Sequence, residues 1–277
     1  MKTILVLIDF SQKAENAAQF AVQIAAKVNA KIHLYNTFSA PQVFPSDAGV
    51  YPFFEDYSQD EKIYNEKLQE LADKLKRSYI QKASPAISFR SRPGNLAGNI
   101  SEMKPWLIVM GGKSESSSLS HLLFGSNSSA VMDKASCPVL LVPEQAIPKV
   151  FKRIVFATDL QPSEKESFFF LEKFGNYWGA SITVLHVSEK THLEDIWDER
   201  YDYYKNIISG NNPSISYTDV RGKNIAEAIS KYATHQDVDM VAIAHQKRSV
   251  IGQLLHKSIG KDFLNYHKTP VLILHRS

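Results

Sequence analysis

The stretch from Lys2 to Asn36, KTILVLIDFSQKAENAAQFAVQIAAKVNAKIHLYN, lies without a gap over Lys152 to His186, KRIVFATDLQPSEKESFFFLEKFGNYWGASITVLH. Lys2 falls on Lys152, Ile4 on Ile154, Asp9 on Asp159, Phe20 on Phe170, Ala30 on Ala180 and Ile32 on Ile182, at a constant offset of 150 residues. A repeat of this length sets the organisation of the chain before any single motif does. The ends of the halves match too, HLLFGS from His121 over QLLHKS from Gln253 and CPVLLV from Cys137 over TPVLIL from Thr269, now at an offset of 132. The second copy is therefore 18 residues shorter, mostly where the first carries FSAPQVFPSDAGVYPFFEDYSQ from Phe38. Two domains are expected, 1–145 and 150–277, with the boundary between Pro143 and Lys149.

Each half alternates short apolar runs with amphipathic segments of helix length, the pattern of a parallel sheet with helices on its faces. The expected strands are Ile4–Ile8, Ile32–Tyr35, Ile87–Arg90, Leu107–Met110 and Val139–Val142, then Ile154–Ala157, Ile182–His186, Ser214–Asp219, Met240–Ala244 and Val271–Leu274. The fold class that follows is α/β, with two tandem, open, mostly parallel five-stranded sheets of Rossmann-like type. Sheets of this kind bind ligands beyond the carboxyl ends of their strands, where the strand order reverses. Asp9 and the pair Gly111-Gly112 both fall at such ends.

The bulk composition narrows the function classes. A chain of 277 residues with 44% hydrophobic content forms a buried core, and a net charge of +3 without a basic stripe interleaved with aromatics excludes a nucleic-acid partner. The single cysteine, Cys137, rules out a disulfide within the chain and any cysteine-based zinc site. MKTILVLIDF is too short an apolar run for a signal-peptide core or a membrane span, so a soluble, cytoplasmic protein without a membrane partner is expected.

From Val109 to Asn127 the chain reads VMGGKSESSSLSHLLFGSN. Two readings are open for this glycine- and serine-rich segment: a phosphate cradle, in which a Gly-Ser step opens a helix and aims free N–H groups at an anion, and a plain surface loop. Three familiar motifs fail on spacing. A Walker A loop needs glycine where the chain has Leu107, a G-x-G-x-x-G fingerprint is absent, and GKSES lacks the closing glycine of a nucleophile elbow.

The combination resembles the universal stress protein family over nearly the whole of both halves. The family pattern is an aspartate ending the first strand, G-x2-G-x9-G-(S/T) after the fourth, and a small residue followed by Pro-Val in the last. Asp9, Gly125-Ser126 and Cys137-Pro138-Val139 match it. The resemblance implies that Asp9 contacts adenine and that Gly111, Gly112, Gly125, Ser126 and Asn127 form the phosphate side of a site for ATP, with Mg2+. The middle family glycine is missing: counting back from Gly125 it falls on Glu115, and counting from Gly111 on Ser114. A carboxylate there would repel a triphosphate unless Lys113 or a divalent cation intervened. In the second half the three glycine positions fall on Ala244, Lys247 and Lys257, with Ser258 retained, so the nucleotide site is expected in the first half alone. The resemblance further implies that the two final strands pair within the chain, as in family dimers, and leaves a homodimer of the whole chain open.

Other residues carry bland readings beside sharper ones. Asp9 is expected to cap the following helix as well as meet ligand, and Asp159 to cap only. His245, His256 and His267 lack the spacing of a zinc pair, and Ser116, Ser117 and Ser118 have no assigned base, so no catalytic residue and no metal ligand is named. The aromatic loop with Phe38, Phe44, Tyr51, Phe53, Phe54 and Tyr57, and its counterpart with Trp197, Tyr201, Tyr203 and Tyr204, are expected to cover the region between the repeats. Three functional readings follow: a stress-response regulator or nucleotide sensor that is not an enzyme, a nucleotide-free interaction protein of the same fold, and a weak ATPase.

Overall fold

The computed structural model describes residues 1–38, 57–79, 84–112, 126–188, 202, 212–245 and 268–275. All ten expected strands are present: β1 Thr3–Leu7, β2 Lys31–Phe38, β3 Ile87–Pro93, β4 Leu107–Gly111, β5 Val139–Val142, β6 Arg153–Ala157, β7 Ser181–Ser188, β8 Ile215–Arg221, β9 Met240–His245 and β10 Val271–His275. The described helices are α1 Gln12–Val28, α2 Ser58–Ser78, α3 Leu96–Ser101, α4 Ser126–Lys134, α5 Lys165–Trp178 and α6 Ile225–His235.

Helix α1 starts where Ser11 accepts the Ala14 N–H on its side chain, and it ends at Asn29, whose left-handed backbone (φ 53°) lets the Ala30 N–H turn back to the Ala25 carbonyl. The equivalent end of α5 is Gly179, also left-handed at φ 64°. Buried positions 68, 71, 72 and 75 of α2 and 226, 229, 230 and 233 of α6 repeat at three- and four-residue steps, which gives each helix one apolar stripe. Helices α1, α2 and α5 cover one face of the sheet, and α3, α4 and α6 the other.

The strands form a single sheet in the order β3-β2-β1-β4-β5-β10-β9-β6-β7-β8. The two expected five-stranded units are thus joined edge to edge. Every neighbouring pair is parallel except β5 with β10, which run antiparallel with Val139, Leu140 and Leu141 opposite Ile273, Leu272 and Val271. The apolar core on the α1 side runs unbroken through this seam. Phe151 anchors it, with its ring centre 6.4 Å from Phe20 of the first half and 5.9 and 4.9 Å from Phe174 and Trp178 of the second. Nearby, the Lys2 ammonium lies 4.8 Å from the centre of Trp106 and 4.3 Å from that of Tyr177.

The linker between the halves is held at both ends by one buried polar side chain. Asn16 of α1 donates through Nδ2 to the carbonyls of Pro143 (3.1 Å), Glu144 (3.1 Å) and Ala146 (2.8 Å). Asp239 accepts the N–H groups of Lys152 (2.7 Å) and Arg153 (2.8 Å) and pairs with Lys149 at 2.5 Å. Burial opposes the charge of Asp239, but the Lys149 ammonium and the two N–H groups outweigh it and hold the carboxyl below its usual range.

Two outcomes follow. Asn16→Ala leaves buried carbonyls without a donor and should cost about 2 kcal/mol in urea unfolding. Because the folded-state pKa of Asp239 is depressed, its contribution is complete above about pH 4 and lost as the pH falls through the folded value. The stability margin of the native chain over Asp239→Asn should therefore shrink on acidification; a margin independent of pH would contradict the clamp.

Candidate functional site

The strand order reverses at β1, which has β2 on one side and β4 on the other, so a crevice opens where β1 ends. A cavity of about 470 Å³ occupies it. Its floor is built by hydrogen bonds that extend the ladder past the last residue of β1. The Ile8 N–H donates to the Tyr35 carbonyl (2.8 Å), and Asn36 Nδ2 donates to the Ile8 carbonyl (2.8 Å). Ser91 Oγ donates to Asn36 Oδ1 (2.8 Å), and the Ser91 N–H to Asn65 Oδ1 (2.9 Å). Both polar atoms of the buried Asn36 amide thus have a partner at the edge of the crevice.

Beyond Ile8 the chain leaves the sheet through Phe10, which takes a left-handed backbone at φ 60°; Leu160, its repeat equivalent, does the same at φ 56°. Such a conformation in a bulky residue costs energy and is retained where the chain must turn sharply at a site. The turn brings Asp9 to the cavity wall with its side chain 58% exposed. Asp9 Oδ1 accepts from the Ser11 N–H (3.0 Å) and from Ser11 Oγ, while Lys13 Nζ lies 3.6 Å from Oδ2. The expected capping role is corrected here. Ser11 is the N-cap of α1, and Asp9 braces that cap from outside the helix. Asp159 is not a cap either: Gln161 caps the short 3-10 turn Pro162–Glu164, with Glu164 reaching back to it.

Gly111 ends β4 against the first turn of α1. A Cβ at this position would stand 2.9 Å from the Lys13 carbonyl carbon, so the glycine is required by helix approach. Neither Gly111 nor Gly112 has a positive φ, so close approach and not backbone conformation calls for glycine at 111. Gly112 donates its N–H to the Val142 carbonyl at 2.8 Å. The ladder also corrects the repeat alignment: Gly111 stands opposite Val142 and Ala244 opposite Leu274, so Ala244 is the counterpart of Gly111, one residue earlier than the motif count from Gly125 implied. Of the other expected phosphate-side residues, Ser126 and Asn127 open α4, and Gly125 lies outside the described residues.

Several wall residues were not singled out in the sequence. Lys13, Tyr35, Asn36, Asp60 and Tyr64 line the cavity together with Phe10 and Phe38. Tyr64 stacks between Phe10 (5.9 Å between ring centres) and Phe38 (5.0 Å), and the Lys67 ammonium lies 5.4 Å from its ring centre. Phe38 and Tyr57, the described ends of the aromatic loop, thus gather by this cavity and not at the seam between repeats, 6.3 Å from each other. The remainder of that loop and its second-half counterpart lie outside the described residues, as do the Ser116–Ser118 run, His256 and His267.

The equivalent crevice of the second half measures about 30 Å³. Where the first half has Ala14 and Asn36 on the wall, the second has Glu164, fully buried and accepting from Thr158 Oγ1 and the Gln161 N–H, and His186, whose Nδ1 lies 3.0 Å from Asp219. Ile225 and Ile229 of α6 close the other side. The exchanges of Ala14 for Glu164 and of Asn36 for His186 are visible in the alignment at offset 150.

Burial pushes the Cys137 thiol up to about 12, against a weaker opposing bond from the Ile108 backbone, which keeps it protonated and inert. Among the described residues no group of His, Cys, Asp and Glu is arranged to hold a metal ion, and no helix is long and apolar enough to cross a membrane.

The family model for the universal stress proteins matches residues 1–143 and again 151–275. The chain belongs to the universal stress protein family. A universal stress protein from Archaeoglobus fulgidus has the same fold, with a TM-score of 0.70 at 17% identity, covering 99% of this chain and 96% of that one. A putative universal stress protein of Staphylococcus aureus is 26% identical over 168 residues, 58% of this chain and 95% of its own length. A sodium/proton antiporter of Synechocystis is 31% identical over 125 residues, which are 44% of this chain and 18% of the antiporter. This universal stress protein is thus similar both to free-standing relatives and to part of a much longer one.

The close approach at Gly111 gives a test of the site's frame. Gly111→Ala should lower stability by about 2 kcal/mol through overpacking against the Lys13 backbone. A thermal melt unchanged from the native chain would mean that α1 yields without cost.

Proposed function

We propose that this universal stress protein is a nucleotide-responsive regulator, with one adenine nucleotide bound per chain in the first half. The observation that carries the reading is the contrast between equivalent crevices, about 470 Å³ beside β1 and about 30 Å³ beside β6. The larger is within the size range of small-molecule sites; the smaller has room for little more than water.

On this reading the exposed carboxylate of Asp9 accepts the amino group of adenine, and the aromatic stack of Phe10, Tyr64 and Phe38 flanks the base. The phosphates lie toward Gly111, Gly112 and the amino end of α4 at Ser126 and Asn127, with Gly125 at its entry, where unpaired N–H groups favour an anion. ATP with Mg2+ is the first candidate. The site binds and does not turn over its ligand, because no general base or nucleophile is assigned within it. The protein acts in the cytoplasm, its units are 1–145 and 150–277, and a homodimer would have to form through a surface other than β5, which β10 already covers.

Isothermal titration with ATP, ADP and AMP, with and without Mg2+, should give one site per chain. Asp9→Ala should weaken binding by about tenfold, the scale of one charge-assisted hydrogen bond. Two sites per chain would refute the reading of the second half. No heat with any adenine nucleotide would leave the nucleotide-free interaction protein as the function.

A further inference from the structure

The cavity beside β1 carries both signs of charge. Among the described residues its charged wall consists of Asp9, Asp60 and Lys13. Asp9 adjoins Phe10, and Asp60 lies one turn before Tyr64 on α2, so both carboxylates stand with the aromatic stack. Lys13 spans the crevice toward its other end. A Cβ on Gly111 would come within 2.9 Å of Lys13 Cγ, so the lysine stem crosses the end of β4, while its ammonium reaches back to lie 3.6 Å from Asp9 Oδ2. The side chain is 29% exposed, which leaves the ammonium open to a ligand.

That pair is a loose one. The other lysine–carboxylate pairs of the described residues stand at 2.5 to 3.3 Å, whereas 3.6 Å is beyond hydrogen-bond length. Asp9 is braced instead through Oδ1, by the N–H and hydroxyl of Ser11. An ion pair between such exposed partners is worth little and is readily exchanged. The repeat supplies an internal comparison. At offset 150 the second half keeps Asp159 opposite Asp9 but has Ser163 opposite Lys13, and its crevice is nearly closed. A lysine needed only to pair with the aspartate would be kept with it; this one accompanies the open cavity. Its charge also has a task there, since the described wall would otherwise offer two carboxylates to an anion and the middle family glycine is replaced by Ser114 or Glu115.

We propose that Lys13 is a specificity-determining residue that makes the site select nucleotides over nucleosides: its ammonium leaves Asp9 for the phosphate next to the ribose, while Asp9 takes the amino group of the base. This rests on the reading of the cavity as an adenine-nucleotide site and keeps its placement, with the base by Asp9 and the aromatic stack and the phosphates toward Gly111. The lysine stem already lies across Gly111, so rotation about its outer bonds carries the ammonium from the base end to the phosphate end.

Titration of adenosine and of AMP into the native chain and into Lys13→Met, at low ionic strength, tests it. The native chain should bind AMP about tenfold more tightly than adenosine, the scale of one charge-assisted contact. Methionine keeps an unbranched stem against Gly111 and removes the charge, so Lys13→Met should lose that preference while binding adenosine as the native chain does. A loss of the same factor for both ligands would show that the lysine acts only by positioning Asp9, and an undiminished preference for AMP would show that the phosphate is read elsewhere; either overturns the proposal. Equal binding of adenosine and AMP by the native chain, a measurement that needs no variant, would overturn it as well. If neither compound binds the native chain, the nucleotide reading itself fails and the assignment of Lys13 with it, whereas native AMP binding that Lys13→Met leaves unchanged removes Lys13 alone.

Discussion

The antiparallel pairing of β5 with β10 is the constraint on which the rest of the molecule depends. Two exposed apolar strand edges would otherwise invite association with other chains. Pairing Val139, Leu140 and Leu141 with Ile273, Leu272 and Val271 removes both edges at once and brings α1 and α5 together over a shared core. Phe151 can then pack between the two halves, and the linker can run close enough to both for Asn16 and Asp239 to hold it. Strand pairing, core and linker support one another.

Within that frame the two halves have used the same backbone differently. Both leave the sheet through a left-handed residue, Phe10 or Leu160, so both form a crevice. In the first half Ala14 and Asn36 stand where the second has Glu164 and His186, and α1 can approach β4 because Gly111 has no Cβ. In the second, Ala244 stands at that position, the helix entry becomes a 3-10 turn, Glu164 accepts from Thr158 and Gln161, and His186 pairs with Asp219. A crevice whose polar groups satisfy each other presents little to a ligand.

Much of this was legible in the sequence. Apolar runs of strand length recur in both copies, so all ten strands could be read, and the matching PVLLV and PVLIL ends pointed to the seam. Other features depend on approaches between residues far apart in the chain. The cap of α1 was expected at Asp9 and is Ser11, because both residue types cap helices and the backbone turn at Phe10 sets the helix start. The need for glycine at 111 comes from Lys13, about a hundred residues earlier. Tyr35 and Asn36 sit in an ordinary alternating strand, and their place at the cavity comes from β2 lying beside β1.

Parallel strands within each half and an antiparallel joint between them also set a direction. The carboxyl ends of β1 and β6 point to opposite rims of one continuous sheet, so the open crevice and the closed one face away from each other. The open crevice therefore has one rim of the sheet to itself, and the closed one lies at the other. Helix α1 ties the open rim to the linker: it carries cavity-wall residues Lys13 and Ala14 at its first turn and, two residues on from Ala14, the Asn16 amide that grips the linker.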